Sequence, residues 1–484
     1  MNDLMIPLSM ESKEPIYKQI YSYIKDEIKK GRLPCGSKLP STRVLARNMQ
    51  LSRSTIEIAY DQLVAEGYLE AEPYRGYYVA QIENLYMMNS PIKKAEHHPQ
   101  IAETLCLYDF SPRGIDLEQF PYRLWQKITK NILNDAKKEI FGSGMQKGDY
   151  ELREAIRDYL HRARGVNCTA EQLIIGAGNE YLLLLLHQIL GKNGVQVAME
   201  NPTYKQAYHV LQSLGYQIYP VLMDAYGILV SQLQKTQAEI AYVTPSHQYP
   251  LGVVMPIKRR MELLNWAMER EGRYIIEDDY DSEFRYKGKP IPSLQGVDQA
   301  GRVIYIGTFS RSIAPAIRVS YMVLPTALME RYEKEYGFYS CTVSRIEQAV
   351  LTCFLKEGYF ERHLNRMRAN YKAKHDLILS EMQTFPGFCV SGENAGIHLL
   401  LTSKQGILEQ KLVEQALAGG VRVYGLSAYY IGEAKRREDT VVLGYANLSE
   451  QEILQGLEIL RKVWKVDSFS RTNKSCDRKE GKIV

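Results

Sequence analysis

Residues 307–321, GTFSRSIAPAIRVSY, concentrate side chains whose types suit the anchoring of a phosphate group. Thr308 and Ser310 offer hydroxyls, and Arg318 offers a guanidinium that can donate paired hydrogen bonds to an oxyanion. Between them stands a first cation, Arg311. A lysine there could attack an aldehyde through its neutral amine and be displaced later. A guanidinium stays protonated and is no usable amine nucleophile. The loop therefore keeps the chemistry of anchoring and lacks that of covalent capture.

Other short motifs offer matching parts. GAGNEY (176–181) follows an apolar run and opens a helical one, so the backbone N–H groups around Gly178 and Asn179 suit a phosphate. NPTY (201–204) offers Tyr204 as a flat ring, and TPSHQYPLG (244–252) offers His247, Gln248 and Tyr249, with the choice among them open. IIEDDYDSEF (275–284) is dense in carboxylates, which could suggest a metal site. Glu277, Asp279 and Asp281 alternate with Asp278 and Tyr280, however, so along a continuing strand they cannot all face one point. A single inward aspartate beside a heterocyclic nitrogen is the better reading, because a carboxylate keeps that nitrogen protonated and makes the ring an electron sink. No metal site is expected.

These motifs need a scaffold. The runs QLIIGAG, VQVAM, AEIAYVTP, RYIIEDD, RVIYIG and VSYMVL read as strands, with helical patterns over 179–190, 204–214 and 256–270 between them. Such alternation implies a mostly parallel sheet covered on both faces. Ligands bind at the carboxyl ends of such strands, where the motifs fall. Beyond residue 365, helical patterns surround GIHLLLT, VRVYGL and TVVLGYA, an α+β small domain extending to about 465.

The N-terminal 80 residues have a different character. Ile16, Ile20, Ile24 and Ile28 form one apolar stripe, with Pro15 before it and Gly31 after it. Ser41 can cap a second helix and Ser52 a third, whose front carries Arg53, Ser54 and Thr55. Two short helices joined by a tight turn, the second opening on hydrogen-bonding residues, give helix-turn-helix geometry. Arg53 and Thr55 could then reach base edges or phosphates. YLEAEPYRGYYVA follows as a two-stranded wing with Arg75-Gly76 at its tip. Eleven Lys/Arg against ten Asp/Glu over residues 1–80 leave a protein-binding helical module open, but Lys38, Arg43, Arg53 and Arg75 gather at helix starts and the wing tip, which favours DNA.

The stretch KLPSTRVLARNMQLSRSTIEIAYDQLVAEGYL with RGYYV resembles the GntR-type winged helix. The remainder resembles the fold-type I aminotransferases, which use pyridoxal 5′-phosphate. The order of the parts is similar to the MocR/GabR-type transcriptional regulators, through GDYELREAIRDYLHRARGV, TPSHQYPLG, IIEDDYDSEFRY, GTFSRSIAPAIRVSYMVLP and RHLNRMRANY. The resemblance implies a multidomain chain: a winged helix-turn-helix over 1–80, a linker over 81–107, and an aminotransferase-like domain over 108–465. The last would divide into a large α/β domain to about 364 and a small α+β domain after it. It also implies a homodimer, a double-stranded DNA operator and a small-molecule effector of unknown identity. By it, Asp278 bonds the pyridine nitrogen, Tyr280 the phenolic oxygen, and Tyr204 stacks on the ring; Gly178, Asn179, Thr308, Ser310 and Arg318 surround the phosphate. DNA contacts fall to Lys38, Ser41, Arg43, Arg53, Ser54, Thr55, Arg75 and Gly76.

The resemblance places Arg311 where the family's cofactor-bonding lysine stands. No catalytic residue is therefore assigned, and the cofactor is expected to bind without a covalent link or not at all. Lys205, beside Tyr204, is a poor substitute, because its neighbour must point into the pocket. Three more departures affect the amino-acid half: Thr203 where glycine is usual, Gln206 where an effector-binding arginine is known, and Val442 where a substrate-carboxylate arginine is frequent. The alternative, a working aminotransferase carrying a DNA module, would need the missing lysine.

Composition fits this reading. A chain of 484 residues, 45% hydrophobic and 24% charged, is globular and multidomain. Seven scattered cysteines without a CxxC pair, no signal peptide, and no apolar run long enough for a bilayer predict a cytoplasmic protein. Residues 466–484, with five Lys/Arg against three acids and no apolar period, read as a disordered basic tail.

Overall fold

The computed structural model describes residues 6–9, 14–81, 106–135, 138–191, 194–286, 291–393, 395–432 and 436–466. The chain divides into two compact units, Met1–Ala102 and Glu103–Val484. Nearly all of the expected linker and tail lie outside the described residues.

In the first unit the isoleucine stripe becomes the helix Ile16–Lys29, with Ile20, Ile24 and Ile28 buried. They pack with Leu45, Ile56, Tyr60 and Leu63 from the helices Thr42–Met49 and Arg53–Ala65. Ser41 and Ser52 each cap their helix, accepting from the N–H of Val44 and Thr55. Leu69–Glu72 and Gly76–Val79 pair antiparallel as the wing, with Glu72 opposite Gly76.

The second unit is built on an eight-stranded sheet. Its order is Leu173–Gly176, Ser320–Val323, Val303–Thr308, Tyr274–Asp279, Ile240–Val243, Gln196–Asn201, Gln217–Asp224 and Gly227–Ile228. Ser320–Val323 runs antiparallel to both neighbours, and Gly227–Ile228 is antiparallel at the far edge. The other strands run parallel, covered on one face by helices such as Asn179–Leu190 and on the other by Tyr150–Arg164 and Arg345–Lys356. Both faces bury apolar residues, as the near-continuous hydrophobic strand runs require.

A four-stranded antiparallel sheet, in the order Phe388–Ser391, His398–Ser403, Thr440–Gly444 and Tyr424–Gly425, forms the small domain. The expected division near residue 364 falls inside one continuous helix, Tyr359–Met382. Tyr108–Asp109 pairs parallel with Val421–Arg422, and Phe110 is buried in the small-domain core. The segment at 108–110 thus packs with the small domain, not with the large domain to which it was expected to belong. No helix among the described residues is long and apolar enough to cross a membrane.

Candidate ligand cavity and DNA-contacting face

At the carboxyl ends of the parallel strands lies a cavity of about 350 Å³. Gly178, Asn179, Tyr204, Asp278, Tyr280, Thr308, Ser310 and Arg318 all line it, as does Arg311. Arg113, Glu180, Gln206, Tyr249, Pro315 and Ser320 complete the lining.

The anchoring loop is a connection between Val303–Thr308 and the antiparallel Ser320–Val323, so its two ends are held by sheet register, with Thr308 opposite Ser320. The Thr308 oxygen accepts from the Ser310 N–H at 3.1 Å and from the Ser320 hydroxyl at 2.9 Å, so it shapes the loop. Ser310 Oγ and Asn179 Oδ1 are buried, and neither has a hydrogen-bond partner. Such orphaned polar atoms cost free energy unless something supplies a partner. Gly178 caps Asn179–Leu190 with φ 97°, and a Cβ there would overlap the Arg318 guanidinium. A helix N-terminus with bare backbone, the unpartnered Ser310 hydroxyl and a nearby guanidinium fit a phosphate group, whereas Asn179 Oδ1, an acceptor only, needs a ligand donor. One feature opposes it: Arg318 already donates to the Glu180 carboxylate at 2.8 Å.

Asp278 is buried, accepts from Asn179 Nδ2 at 3.2 Å and from the Tyr242 hydroxyl, and burial pushes its carboxyl up to about 7. The strand alternation holds. Glu277 accepts from the N–H of Leu294 and Gln295, and Asp279 pairs with buried Arg164 at 2.8 Å; neither lines the cavity. No group of three or more His, Cys, Asp or Glu among the described residues could hold a metal ion.

Asp281 sits 3.0 Å from His247 Nδ1, which also lies 3.0 Å from the Tyr280 hydroxyl. If Nδ1 carries its proton toward Asp281, the Tyr280 oxygen can accept from the same N–H, leaving the Tyr280 proton for a ligand. Of the three residues left open in TPSHQYPLG, Tyr249 lines the cavity, edge-on to Tyr204 with centroids 5.6 Å apart. Gln248 donates to the carbonyls of Pro202 and Tyr249, and His247 braces Tyr280.

No lysine is among the lining residues. Lys205 lies over the Tyr208 ring, 5.1 Å from its centroid. The Arg311 guanidinium stands 5.9 Å from the Tyr280 centroid and donates to the Pro112 carbonyl at 3.2 Å. Val442 is fully buried among Leu400, Leu426 and Tyr429, an apolar packing position. Sequence reasoning missed Arg113, Glu180 and Tyr242. Glu180 carried a signal, being an acid in the first turn of a helix assigned to phosphate.

In the first unit Lys38, Ser41, Arg43, Arg53, Ser54 and Arg75 are exposed, while Thr55 and Gly76 are half-buried. Ser41 and Thr55 are engaged at their helix starts: Ser41 as a cap, and Thr55 through a 2.7 Å bond to the Ser52 hydroxyl. Arg53 pairs with Glu57 at 2.7 Å and Arg75 with Glu72 at 3.1 Å. Both are exposed pairs that contribute little to stability. Lys38 runs along the wing over the Tyr78 ring, 5.6 Å from its centroid.

Residues 16–79 match the family of bacterial regulatory proteins, gntR family, and residues 117–460 match aminotransferase class I and II. The chain is 39% identical to the uncharacterized HTH-type transcriptional regulator YdeL of Bacillus subtilis, covering 93% of this chain and 97% of that one. It is 30% identical to the probable rhizopine catabolism regulatory protein MocR of Rhizobium meliloti, covering 94% and 95% respectively. Among solved structures, a Pyrococcus horikoshii kynurenine aminotransferase in complex with PMP matches with a TM-score of 0.66 at 26% identity, over 75% of this chain and 91% of that one.

Proposed function

We propose, for a chain that belongs to the MocR-type transcriptional regulators (a GntR winged helix joined to an aminotransferase class I and II domain), a regulator that senses its effector without catalysis. The cavity would hold pyridoxal 5′-phosphate or a related ligand reversibly. The observation that carries this reading is a cavity lining that combines the expected anchoring residues with Arg311 and contains no lysine.

When bound, the cofactor supplies an aldehyde and an electron-withdrawing ring. This chain's residues would do the holding. Ser310, Asn179, the first turn of Asn179–Leu190 and Arg318 would receive the phosphate. Asp278 would hold a proton on the ring nitrogen, Tyr280 would donate to the phenolic oxygen, and Tyr204 would cover a ring face. Arg311 can neither form the covalent link nor move the α-proton of an amino acid. Equilibrium dialysis of the full-length protein tests the holding step: uptake of pyridoxal 5′-phosphate that washes out supports it, and no uptake refutes it.

The winged helix would carry this state to an operator of repeated half-sites, each read by one copy of the Arg53–Ala65 helix. Arg53→Ala is expected to weaken specific binding by about 1–3 kcal/mol at fixed salt, as for a lost direct contact. Unchanged affinity in a mobility-shift titration would remove Arg53 from the interface. The working form would be a homodimer. Sedimentation velocity at micromolar concentration is expected to show a dimer, and a monomer would count against it.

A further inference from the structure

Three arginines line the cavity, and they are not equivalent. Arg318 is committed to Glu180, whereas Arg113 and Arg311 have no carboxylate partner among the described residues. We propose that Arg113 and Arg311 form a clamp for a ligand carboxylate, which makes the effector an organic acid, either free beside the cofactor or joined to it. This rests on the reversible-cavity reading and names the ligand's class.

The geometry supports a shared site. Arg113 stands over the Tyr204 ring, 5.8 Å from its centroid, and Arg311 stands over Tyr280 at 5.9 Å. A guanidinium resting on an aromatic face keeps in-plane N–H groups free for the fork-like pairing a carboxylate accepts. Arg311 commits one terminal nitrogen to the carbonyl of Pro112, the residue before Arg113, which ties the two cations into one neighbourhood. Both guanidinium charges act on the Tyr204 hydroxyl.

Charge balance points the same way. The lining carboxylates are Glu180 and Asp278. Glu180 is neutralised by Arg318, and Asp278 is held by Asn179 and Tyr242. Neutral Asn179 and Tyr242 leave the Asp278 charge in place and Arg311 acts on it, so with Asp278 ionised the three guanidinium groups exceed the two carboxylates by one charge, shared by Arg113 and Arg311. The small-domain strand offers no rival, since Val442 is packed in an apolar cluster. Gln206, also on the lining, adds an amide but no charge.

The test uses full-length protein and isothermal titration with two probes. Pyridoxamine 5′-phosphate lacks a carboxylate; N-(5′-phosphopyridoxyl)-L-alanine, a stable reduced adduct, carries one. A third arm adds free L-alanine to protein saturated with pyridoxamine 5′-phosphate. The wild type is expected to bind the adduct at least ~10-fold tighter than pyridoxamine 5′-phosphate, or to take up free alanine, as a charge-assisted pair implies. These two results separate the joined source from the free one. Arg113→Gln and Arg311→Gln are each expected to cost the carboxylate-bearing ligand ~10-fold more than they cost pyridoxamine 5′-phosphate. Equal losses for both probes would overturn the clamp. So would a wild type that holds pyridoxamine 5′-phosphate and gains nothing from either carboxylate source. A wild type that binds neither probe would overturn the cavity reading, and the clamp with it.

Discussion

Arg311→Lys is expected to turn a protein that holds pyridoxal 5′-phosphate reversibly into one that holds it covalently. The loop needs no rebuilding. Its ends are fixed by the Thr308–Ser320 register, and the residue at 311 already faces the cavity beside Tyr280. A lysine there would bring a neutral-capable amine to a site where arginine brings only a permanent cation. After borohydride reduction, peptide mass mapping should place the cofactor on the 307–321 segment of the variant and on no cavity peptide of the wild type. A variant that takes up no cofactor would show the cavity to be a scaffold remnant.

Asp278→Asn is expected to have opposite effects on the empty protein and on its ligand. Burial pushes the Asp278 carboxyl from 3.8 up to about 7, so over that interval the folded chain keeps a proton that the unfolded chain has lost. Stability from this group is present below pH 4, falls as pH rises, and is fully lost above about 7. Asparagine does not titrate, so the variant's Tm should gain on the wild type more at pH 8 than at pH 5 when no ligand is present. The same change removes the carboxylate that would hold a proton on the ring nitrogen, and cofactor affinity should fall by ~10-fold or more, as for a lost charge-assisted bond. A pH-independent Tm difference would mean that Asp278 does not titrate as the buried environment requires.

Much of this site was legible in the sequence because each motif directly follows a strand, and strand ends converge. GAGNEY, NPTY, IIEDDYDSEF and GTFSRS are distant in sequence, yet all lie at the carboxyl ends of strands of the eight-stranded sheet, around one cavity. The alternation of Asp278 with Glu277 and Asp279 was readable for the same reason: a strand's period of two sends neighbours to opposite faces. Gln217–Asp224 was not readable. Pro220 lies inside it, and its first half is largely exposed near the sheet edge, so neither propensity nor apolar pattern marks it. Arg113 was missed because it precedes the first large-sheet strand and enters the cavity from a loop, with no local pattern to announce it. Tyr242 hid inside an apolar strand, where a tyrosine reads as core until its hydroxyl is seen on Asp278. The boundary near 364 failed because a helix of 24 residues, Tyr359–Met382, runs through it without a break in composition.

The central claim, reversible binding without catalysis, is tested most directly by half-transamination. Wild-type protein is mixed with pyridoxal 5′-phosphate and a panel of amino acids, and formation of pyridoxamine 5′-phosphate is followed against free cofactor under the same conditions. Bound cofactor is expected to convert no faster than the free compound and to leave on dialysis. Conversion above the free rate by the wild type would rule out binding without catalysis, and would mean that a base on this chain moves the α-proton.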